Sequence, residues 1–138
     1  MKFLILVVED NPLNLELVTD ILEANGFVVL TARTAEEGLY LACRRSPDLI
    51  LMDVSLPGMD GLAATKALRA DPETRHLPII ALTAHAMKGD EQLALDAGCD
   101  GYLAKPIDTR SFGSKVAGFI AAANARRKEL AAASPYAN

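Results

Sequence analysis

The sequence predicts an α/β fold: a doubly wound, five-stranded parallel sheet of order 2-1-3-4-5, with five helices packed on both of its faces. Two observations predict this fold. Short continuous apolar runs such as residues 3–8 and 49–52 are typical of strands buried on both faces of a parallel sheet. These runs alternate with longer segments of helical periodicity, and right-handed crossovers between successive strands then make the sheet parallel.

The first strand and first helix are predicted from residues 3–8 and the segment after them. Asn11 supplies an N-cap, and Pro12 occupies the first helical position. The predicted apolar face of this helix consists of Leu15, Leu17, Val18, Ile21 and Leu22. The helix ends at Asn25 and Gly26, because this pair is a common helix stop.

The next elements are a strand, a helix and a second strongly apolar strand. The second strand covers residues 27–31. Thr34, with a glutamate three residues later, matches a capping box and predicts a helix that starts near Ala35 and ends before Ser46. The third strand is the apolar run 49–52, which stops at a carboxylate, Asp53.

The third and fourth helices flank the fourth strand. The third helix is predicted over about residues 60–70, and the fourth strand over 77–82, ending at Thr83. The inward positions of the third helix are Leu62, Thr65 and Leu68. The fourth helix, about 86–97, has a weak apolar face and contains Gly89, so we expect it to be marginal and mobile.

The chain closes with a short strand at 101–104 and a fifth helix capped by Asp108. The predicted apolar face of this helix consists of Phe112, Val116, Phe119 and Ile120. We expect one domain over residues 1–122, and a helix extension or a disordered tail over 123–138. The basic run Arg126-Arg127-Lys128 is interpreted as a solvated helix end.

Composition excludes several classes of protein. The 138 residues suffice for one domain, and the net charge of −4 argues against bulk electrostatic binding of nucleic acid. The apolar start of the chain is too short to span a bilayer, and we expect no membrane association. Cys43 and Cys99 have no metal-ligand spacing, so we expect two free thiols in a cytoplasmic protein.

Charged and hydroxyl side chains follow four of the predicted strands. Glu9 and Asp10 follow the first strand, Asp53 the third, Thr83 the fourth and Lys105 the fifth. The carboxyl ends of parallel strands meet at one edge, around the switch point of strand order. Three converging carboxylates repel one another unless a cation neutralises them, and oxygen-only ligands favour Mg²⁺. With a lysine and a hydroxyl, the set suits a phosphoryl group on a carboxylate, with Asp53 as the nucleophile.

Each residue also has a purely structural interpretation. Glu9 and Asp10 could merely favour the N-terminus of the first helix. Thr83 could be a hydroxyl at the edge of the core, and Lys105 a solvated loop charge. Tyr102 could be a half-buried residue of the sheet. The functional interpretation depends on the coincidence of these residue types at the ends of four different strands.

Over roughly residues 1–122 the chain resembles the receiver domains of two-component response regulators, whose fold is flavodoxin-like. The matching segments are Val8-Glu9-Asp10-Asn11, Leu51-Met52-Asp53, Leu56-Pro57-Gly58-Met59-Asp60-Gly61, Leu82-Thr83-Ala84 and Tyr102-Leu103-Ala104-Lys105-Pro106. The segment 84–91 is most similar to DivK-like single-domain regulators and to receivers attached to hybrid histidine kinases.

This resemblance implies a role for each matching residue. Asp53 would accept a phosphoryl group from a histidine of a kinase or phosphotransfer protein, and Lys105 and Thr83 would contact the phosphoryl oxygens. The implied Mg²⁺ ligands are Glu9, Asp10, Asp53 and the backbone carbonyl of Ser55. No other reaction is implied, so we expect phosphoryl transfer only onto and off Asp53 rather than an enzyme with a separate substrate.

The resemblance also implies a switch and a means of setting phosphate lifetime. Thr83 would move toward the phosphoryl group while Tyr102 turns inward. Ser55 and His85, two residues after Asp53 and Thr83, would set the lifetime of the phosphorylated state. The peptide bond before Pro106 is cis in this family.

The output is expected to be a protein-binding surface. Fewer than twenty residues follow the fifth helix, so we expect a stand-alone regulator that binds an effector through the fourth helix, fifth strand and fifth helix. Alternatively, the chain is a receiver from a larger hybrid kinase or regulator, or a receiver-like scaffold that is never phosphorylated.

Two other classes of protein share parts of the pattern. A haloacid-dehalogenase-like phosphatase would need a second aspartate two residues after Asp53, where this chain has Ser55. A flavin or dinucleotide binder would need a Gly- or Ser/Thr-rich loop after the first strand. The acidic segment 9–12 would instead repel phosphate in the absence of a metal.

Overall fold

Five strands alternate with five helices in the computed structural model, which describes residues 2–56, 58–83 and 89–133. The strands are β1 Leu4–Val8, β2 Val28–Ala32, β3 Leu49–Asp53, β4 Ile79–Thr83 and β5 Gly101–Ala104. The helices are α1 Pro12–Ala24, α2 Ala35–Arg45, α3 Gly61–Ala70, α4 Asp90–Ala97 and α5 Phe112–Ala133.

The sheet is parallel throughout and has the order β2-β1-β3-β4-β5, which confirms the predicted fold class. Its register brings the carboxyl ends of the strands to one edge. Val8 lies opposite Met52, and Asp53 lies opposite Leu82. Thr83, the last residue of β4, lies opposite Ala104. Residues that immediately follow these strands therefore emerge side by side.

Two apolar layers cover the sheet, one on each face. Alternate residues of each strand point to opposite faces, so the continuous apolar runs supply both layers. One layer, the α2–α4 core, packs Val8 and Met52 against α2, α3 and α4. The other, the α1–α5 core, packs Val7 and Leu51 against α1 and α5. The central strands β3 and β4 are buried along their whole length, and they position the carboxyl-end edge of the sheet.

Three helices begin with the side-chain caps that the sequence provides. The Asn11 side chain accepts hydrogen bonds from the first turn of α1. Thr34 Oγ1 accepts the N–H of Glu37 at 3.1 Å, which confirms the predicted capping interaction. Asp60 accepts the N–H of Ala63 at 2.8 Å, so this aspartate is the N-cap of α3. Each cap satisfies a backbone donor that the helix itself leaves unpaired.

Several predicted strand boundaries were wrong by one or two residues. The first strand begins at Leu4. The second begins at Val28, because the N–H of Phe27 still bonds to the last turn of α1. The fourth begins at Ile79 rather than Leu77, since the N–H of Leu77 closes a turn on Thr74.

Two helix predictions also need correction. Leu17 was placed on the buried face of α1, but it is 38% exposed, because the step of about 100° per residue carries it to the flank of the stripe containing Val18. Asp108 does not cap α5 directly. Its carboxylate accepts the N–H of Arg110 in a turn, and α5 starts only at Phe112. The predicted apolar face of α5 is confirmed, because Phe112, Val116 and Ile120 are buried and Phe119 is half-buried.

The end of the chain is helical as far as it is described, since α5 runs to Ala133. The predicted start of the fourth helix falls on residues 84–88, outside the described residues, and the described part of α4 begins at Asp90. Within the described ranges, no helix is both long and apolar enough to cross a membrane. Cys43 and Cys99 are free thiols, as predicted.

Candidate functional site

The predicted site lies at the carboxyl-end edge of the sheet. Glu9 follows β1, Asp53 is the last residue of β3, Thr83 is the last residue of β4, and Lys105 follows β5. Glu9 and Asp53 are each only 1% exposed, and Thr83 is also buried. Charged carboxylates are almost never this deeply buried without a partner, so the arrangement points to a functional site.

The alternation of side chains along the strands explains why three of these residues face one another. Glu9, Asp53 and Lys105 each lie two positions after a strand residue of the α1–α5 core. Those core residues are Val7, Leu51 and Leu103. Because side chains repeat their direction every two residues, the three charged groups emerge on the same side of the sheet edge.

The carboxylates form a compact acidic cluster. Glu9, Asp10 and Asp53 each offer an oxygen atom, and these atoms lie within 4.8 Å of one another. Glu9 and Asp53 are buried, whereas Asp10 is half-buried at the rim. An all-oxygen donor set of this charge suits a hard divalent cation. The cluster can therefore hold a metal ion.

Lys105 ties the acidic cluster together. Its Nζ atom lies 2.6 Å from Glu9 Oε1 and 3.3 Å from Asp53 Oδ2. Its backbone N–H donates to the carbonyl of Thr83 at 2.7 Å, which extends the pairing of β5 with β4 and fixes where the side chain starts. Sequence reasoning foresaw Lys105 in the site but missed its ion pair with Glu9.

The electrostatics of the pair of buried acids are asymmetric. Burial raises the pKa of Glu9 to about 7, and the adjacent Asp53 carboxylate acts in the same direction against the opposing charge of Lys105. Burial also acts to raise the pKa of Asp53. Hydrogen bonds from Glu9 and the Ser55 amide, together with the Lys105 charge, outweigh it and lower that pKa. These opposite shifts mean that a proton bound by the pair favours Glu9, and that Asp53 is the more readily ionised of the two acids.

The loop after β3 holds Asp53 from the other side. The N–H of Ser55 donates to Asp53 Oδ1 at 3.0 Å. Gly61 packs directly on the carbonyl of Asp53, and a Cβ at this position would overlap that oxygen. Sequence reasoning assigned Gly61 only to a turn, because the return of the chain onto the strand end leaves no local pattern. Ser55 is exposed, and the role predicted for its carbonyl stays a prediction.

Thr83 and Tyr102 lie on the other side of the sheet edge. Tyr102 pairs with Ala81 in the β4–β5 register, and Thr83 is two residues further along β4. The two side chains therefore share the face of the α2–α4 core, against which Tyr102 packs. Their coupled movement stays a prediction. His85 lies outside the described residues. The Lys105–Pro106 bond is cis, as the resemblance implied.

The fold and the site together define a class: a doubly wound domain that offers an ionised aspartate, two further acids and a lysine at its switch point. The family of response regulator receiver domains matches residues 5–117, and the chain belongs to this family. It is 45% identical to the polar-differentiation response regulator DivK of Brucella ovis over 116 residues, which cover 84% of this chain and 94% of that protein.

Solved structures agree with this assignment. The receiver domain of a sensor histidine kinase from Pseudomonas aeruginosa, which has a magnesium ion coordinated in its active-site cleft, is 38% identical with a TM-score of 0.80. The similarity covers 88% of this chain and 99% of that one. A CheY-like receiver domain protein from Methanospirillum hungatei is 28% identical with a TM-score of 0.83, covering 91% and 99%.

Proposed function

We propose that the chain is a stand-alone, cytoplasmic response regulator that accepts a phosphoryl group on Asp53 in a Mg²⁺-dependent reaction. The observation that carries this proposal is the environment of Asp53: a buried, ionised carboxylate beside two further acids and 3.3 Å from the Lys105 ammonium. The similarity to the DivK regulator covers 94% of that protein, which supports the proposal of a single-domain regulator.

The reaction needs little from the protein beyond a positioned nucleophile. An oxygen of Asp53 forms a bond to phosphorus while the bond from phosphorus to the histidine nitrogen of the donor breaks, and its electron pair returns to the imidazole ring. The Ser55 N–H holds Oδ1 and so fixes the carboxylate. The Lys105 ammonium beside Oδ2 can move onto the incoming phosphoryl oxygens and offset their charge.

Mg²⁺ would neutralise the acidic cluster and the charge on the phosphoryl oxygens. Glu9, Asp10 and Asp53 would hold it, with the Ser55 carbonyl as a further ligand. This donor set fits Mg²⁺ because it contains only oxygen and brings several negative charges within 4.8 Å. Below about pH 7, protonation of Glu9 would compete with a cation for that carboxylate.

The phosphodonor would dock on α1. Leu13 and Leu17 are 76% and 38% exposed on this helix, and Leu17 lines a cleft with Lys105, Pro106 and Ile107 beside the site. Exposed leucines at the rim of a reaction site favour a protein partner over a small-molecule donor. The partner would be a histidine kinase or a histidine phosphotransfer protein.

The output surface would comprise α4, β5 and α5. Tyr102 lies on β5, and α4 exposes Leu93 and Leu95 to solvent at 57% and 41%. Phosphorylation would shift the population of Thr83 and Tyr102 arrangements and so change what this surface binds. Turnover would be limited to transfer onto and off Asp53, so the chain would not be an enzyme in the ordinary sense.

A receiver domain from a larger protein is a second candidate, favoured by the similarity to the receiver of a sensor histidine kinase. The chemistry at Asp53 would be identical, and the two candidates differ only in partner. In that case the phosphoryl group would pass from Asp53 to a further histidine, instead of staying on Asp53 while an effector binds.

The direct test is intact mass after incubation with acetyl phosphate and Mg²⁺. We expect a gain of one phosphoryl group in the wild type, and none with a chelator or in Asp53→Asn. Asp20→Asn, an exposed aspartate on α1, is the matched control and should label normally. An Asp53→Asn protein that gains the same mass as the wild type would refute the assignment of the acceptor.

The output is tested separately by Tyr102→Ala. We expect labelling of Asp53 to persist while phosphorylation-dependent binding to an effector is lost. Effector binding by Tyr102→Ala that still depends on phosphate would refute the output surface.

Donor docking is tested by the labelling of Leu13→Ser. Labelling by acetyl phosphate should be normal, and labelling by a phosphohistidine protein should fall.

A further inference from the structure

A basic cleft of about 440 Å³ lies outside the site described above. Four arginines and a histidine line it: Arg69, Arg75, His76, Arg126 and Arg127. The chain as a whole carries a net charge of −4, so this concentration of positive charge is a local reversal. Its volume falls within the range of about 300–1,000 Å³ that is typical of small-molecule sites.

The cleft lies at the opposite edge of the sheet from Asp53. Pro78 and Asp100, which also line it, directly precede β4 and β5 and so mark the amino ends of these strands. Asp53 and Thr83 mark the carboxyl ends. A five-residue strand spans roughly 16 Å, so a ligand in the cleft would not touch the phosphorylation site.

One arginine of the cleft has a structural role. Arg69 donates from Nε to the carbonyl of Gly98 at 2.8 Å and from Nη1 to two carbonyls of the α3–β4 loop, both at 2.7 Å. Its Nη2 lies 2.9 Å from Asp100 Oδ2, which also accepts the N–H of Ile79. Arg69 thus forms part of the wall of the cleft and pairs with the Asp100 carboxylate beside it.

Most of the charge of the other three arginines is uncompensated within the described residues, because Asp100 already pairs with Arg69. Asp100 is the only carboxylate among the described lining residues, and Arg126 lies 3.7 Å from its second oxygen. Within the described ranges, the side chains of Arg75 and Arg127 form no ion pair. All three are exposed, on two different elements: the α3–β4 loop supplies one, and α5 supplies the others on successive residues.

We propose that this cleft binds a small molecule that carries two or more phosphate groups. The planar guanidinium fork matches phosphate oxygens in a bidentate manner, which a lysine-rich patch would not do. Three such groups around one cavity suit a ligand with several charges close together. The apolar parts of Pro78 and Ala123 also line the cleft and could contact the remainder of the ligand.

An acidic protein segment fits less well. Its carboxylates would be spaced along an extended chain at roughly 3.3 Å per residue and would need a groove or a flat basic strip. Here the arginines line one compact cleft instead. The basic run Arg126-Arg127-Lys128, interpreted from sequence as a solvated helix end, therefore contributes two residues to a site, while Lys128 does not line it.

The test is isothermal titration of the full chain with inorganic tripolyphosphate and with ATP, without Mg²⁺ so that the acidic cluster repels these probes. We expect saturable binding with a stoichiometry of one. The double variant Arg75→Ala/Arg127→Ala should weaken it about tenfold or more. The control Lys66→Ala/Lys128→Ala removes the same two charges from exposed positions outside the cleft and should change affinity less than about threefold. Circular dichroism verifies that both double variants are folded.

The outcomes separate the possibilities. Tighter binding of ATP than of tripolyphosphate would support a nucleotide ligand, and equal affinities would support recognition of the phosphate chain alone. The absence of saturable binding to either probe would overturn the proposal. Equal weakening in both double variants would also overturn the proposal, since it would indicate a diffuse electrostatic effect. Tighter binding of a hexaglutamate peptide than of either phosphate probe would overturn it as well, because the cleft would then prefer an acidic protein segment. None of these results depends on phosphorylation of Asp53.

Discussion

The two edges of the sheet carry opposite charges and are built in different ways. At the carboxyl-end edge, Glu9 and Asp53 are buried residues that emerge from strands. At the amino-end edge, Arg75 and Arg127 are exposed residues that a loop and a helix contribute. The strand-borne site is fixed by the register of the sheet, whereas the loop- and helix-borne cleft depends on how its walls are held together.

A single residue stabilises each edge through several contacts. The acidic edge keeps like charges together, and Lys105 offsets their repulsion. The basic edge relies on one arginine, Arg69, whose hydrogen bonds connect α3 to the segments before β4 and β5. One residue at each edge is therefore the most sensitive point, and substitutions there can break or sharpen the contrast.

The largest effect is expected at the acidic edge, from Lys105→Met. Removing one partner of a buried ion pair typically costs about 3–5 kcal/mol, and here two carboxylates lose their cation. We expect a loss of about 3 kcal/mol in the free energy of unfolding at pH 8 without Mg²⁺, measured by urea denaturation.

The loss should be smaller at pH 6. Burial raises the pKa of Glu9 to about 7 in the wild type, and loss of the Lys105 charge would raise it further. The variant therefore takes up a proton on Glu9 more readily as the pH falls, and this proton relieves the repulsion between the two acids. Added Mg²⁺ should also restore stability to the variant, since it would bind the folded state alone. Lys66→Met, at an exposed position on α3, is the control. A loss that is equal at both pH values would contradict the electrostatic explanation.

The next effect concerns the close packing behind Asp53. In Gly61→Ala, the new Cβ would overlap the Asp53 carbonyl and lie 2.9 Å from the Cα of Val54, so backbone must move. We expect a loss of about 2–3 kcal/mol, as for other overpacked sites, together with slower labelling by acetyl phosphate.

Gly118→Ala is the matched substitution in α5, where a Cβ meets nothing within 4 Å. It should raise stability by up to about 1 kcal/mol through helix propensity and leave labelling unchanged. If both alanine variants were equally stable, the tight approach of Gly61 to the strand end would have no energetic consequence.

At the basic edge, Arg69→Lys preserves the charge but not the fork of donors. Lysine offers donors from a single nitrogen and cannot reach the Gly98 carbonyl, the loop carbonyls and Asp100 together. We expect a loss of about 2 kcal/mol in thermal or urea unfolding, because two or more hydrogen bonds are lost. Arg75→Lys should cost less than about 0.5 kcal/mol, since its side chain is exposed. Similar costs for the two variants would show that Arg69 has no special structural role.

The acidic edge could be predicted from sequence and the basic edge could not, for a physical reason. An apolar run that stops at a charged residue indicates both a buried strand and the position of its end. Asp53 and Lys105 could therefore be assigned to the carboxyl-end edge of the sheet from the sequence alone. The 2.6 Å ion pair between Glu9 and Lys105 could not, because it joins residues 96 positions apart and depends on side-chain conformations.

The basic cleft leaves no such local signal. Its walls come from α3, the loop after it and α5, and no periodicity links Arg69 to Arg127. The errors in the elements have a similar origin. Leu17 was assigned to a buried face because the leucine-rich stripe of α1 is wider than the surface that α1 buries, and only tertiary packing decides which leucines are covered.

The smallest expected effect would sharpen the contrast within the cleft itself. In Asp100→Asn the only carboxylate among the described lining residues becomes neutral, while the amide oxygen can still accept the N–H of Ile79. We expect a loss of about 1 kcal/mol in stability, from the weakened contact with Arg69. The affinity for tripolyphosphate should rise about threefold, because Arg126 no longer faces a competing charge at 3.7 Å. Titration of both proteins at equal ionic strength measures the change. A fall in affinity comparable to that of Arg75→Ala/Arg127→Ala would mean that Asp100 orders the cleft rather than competes with its ligand.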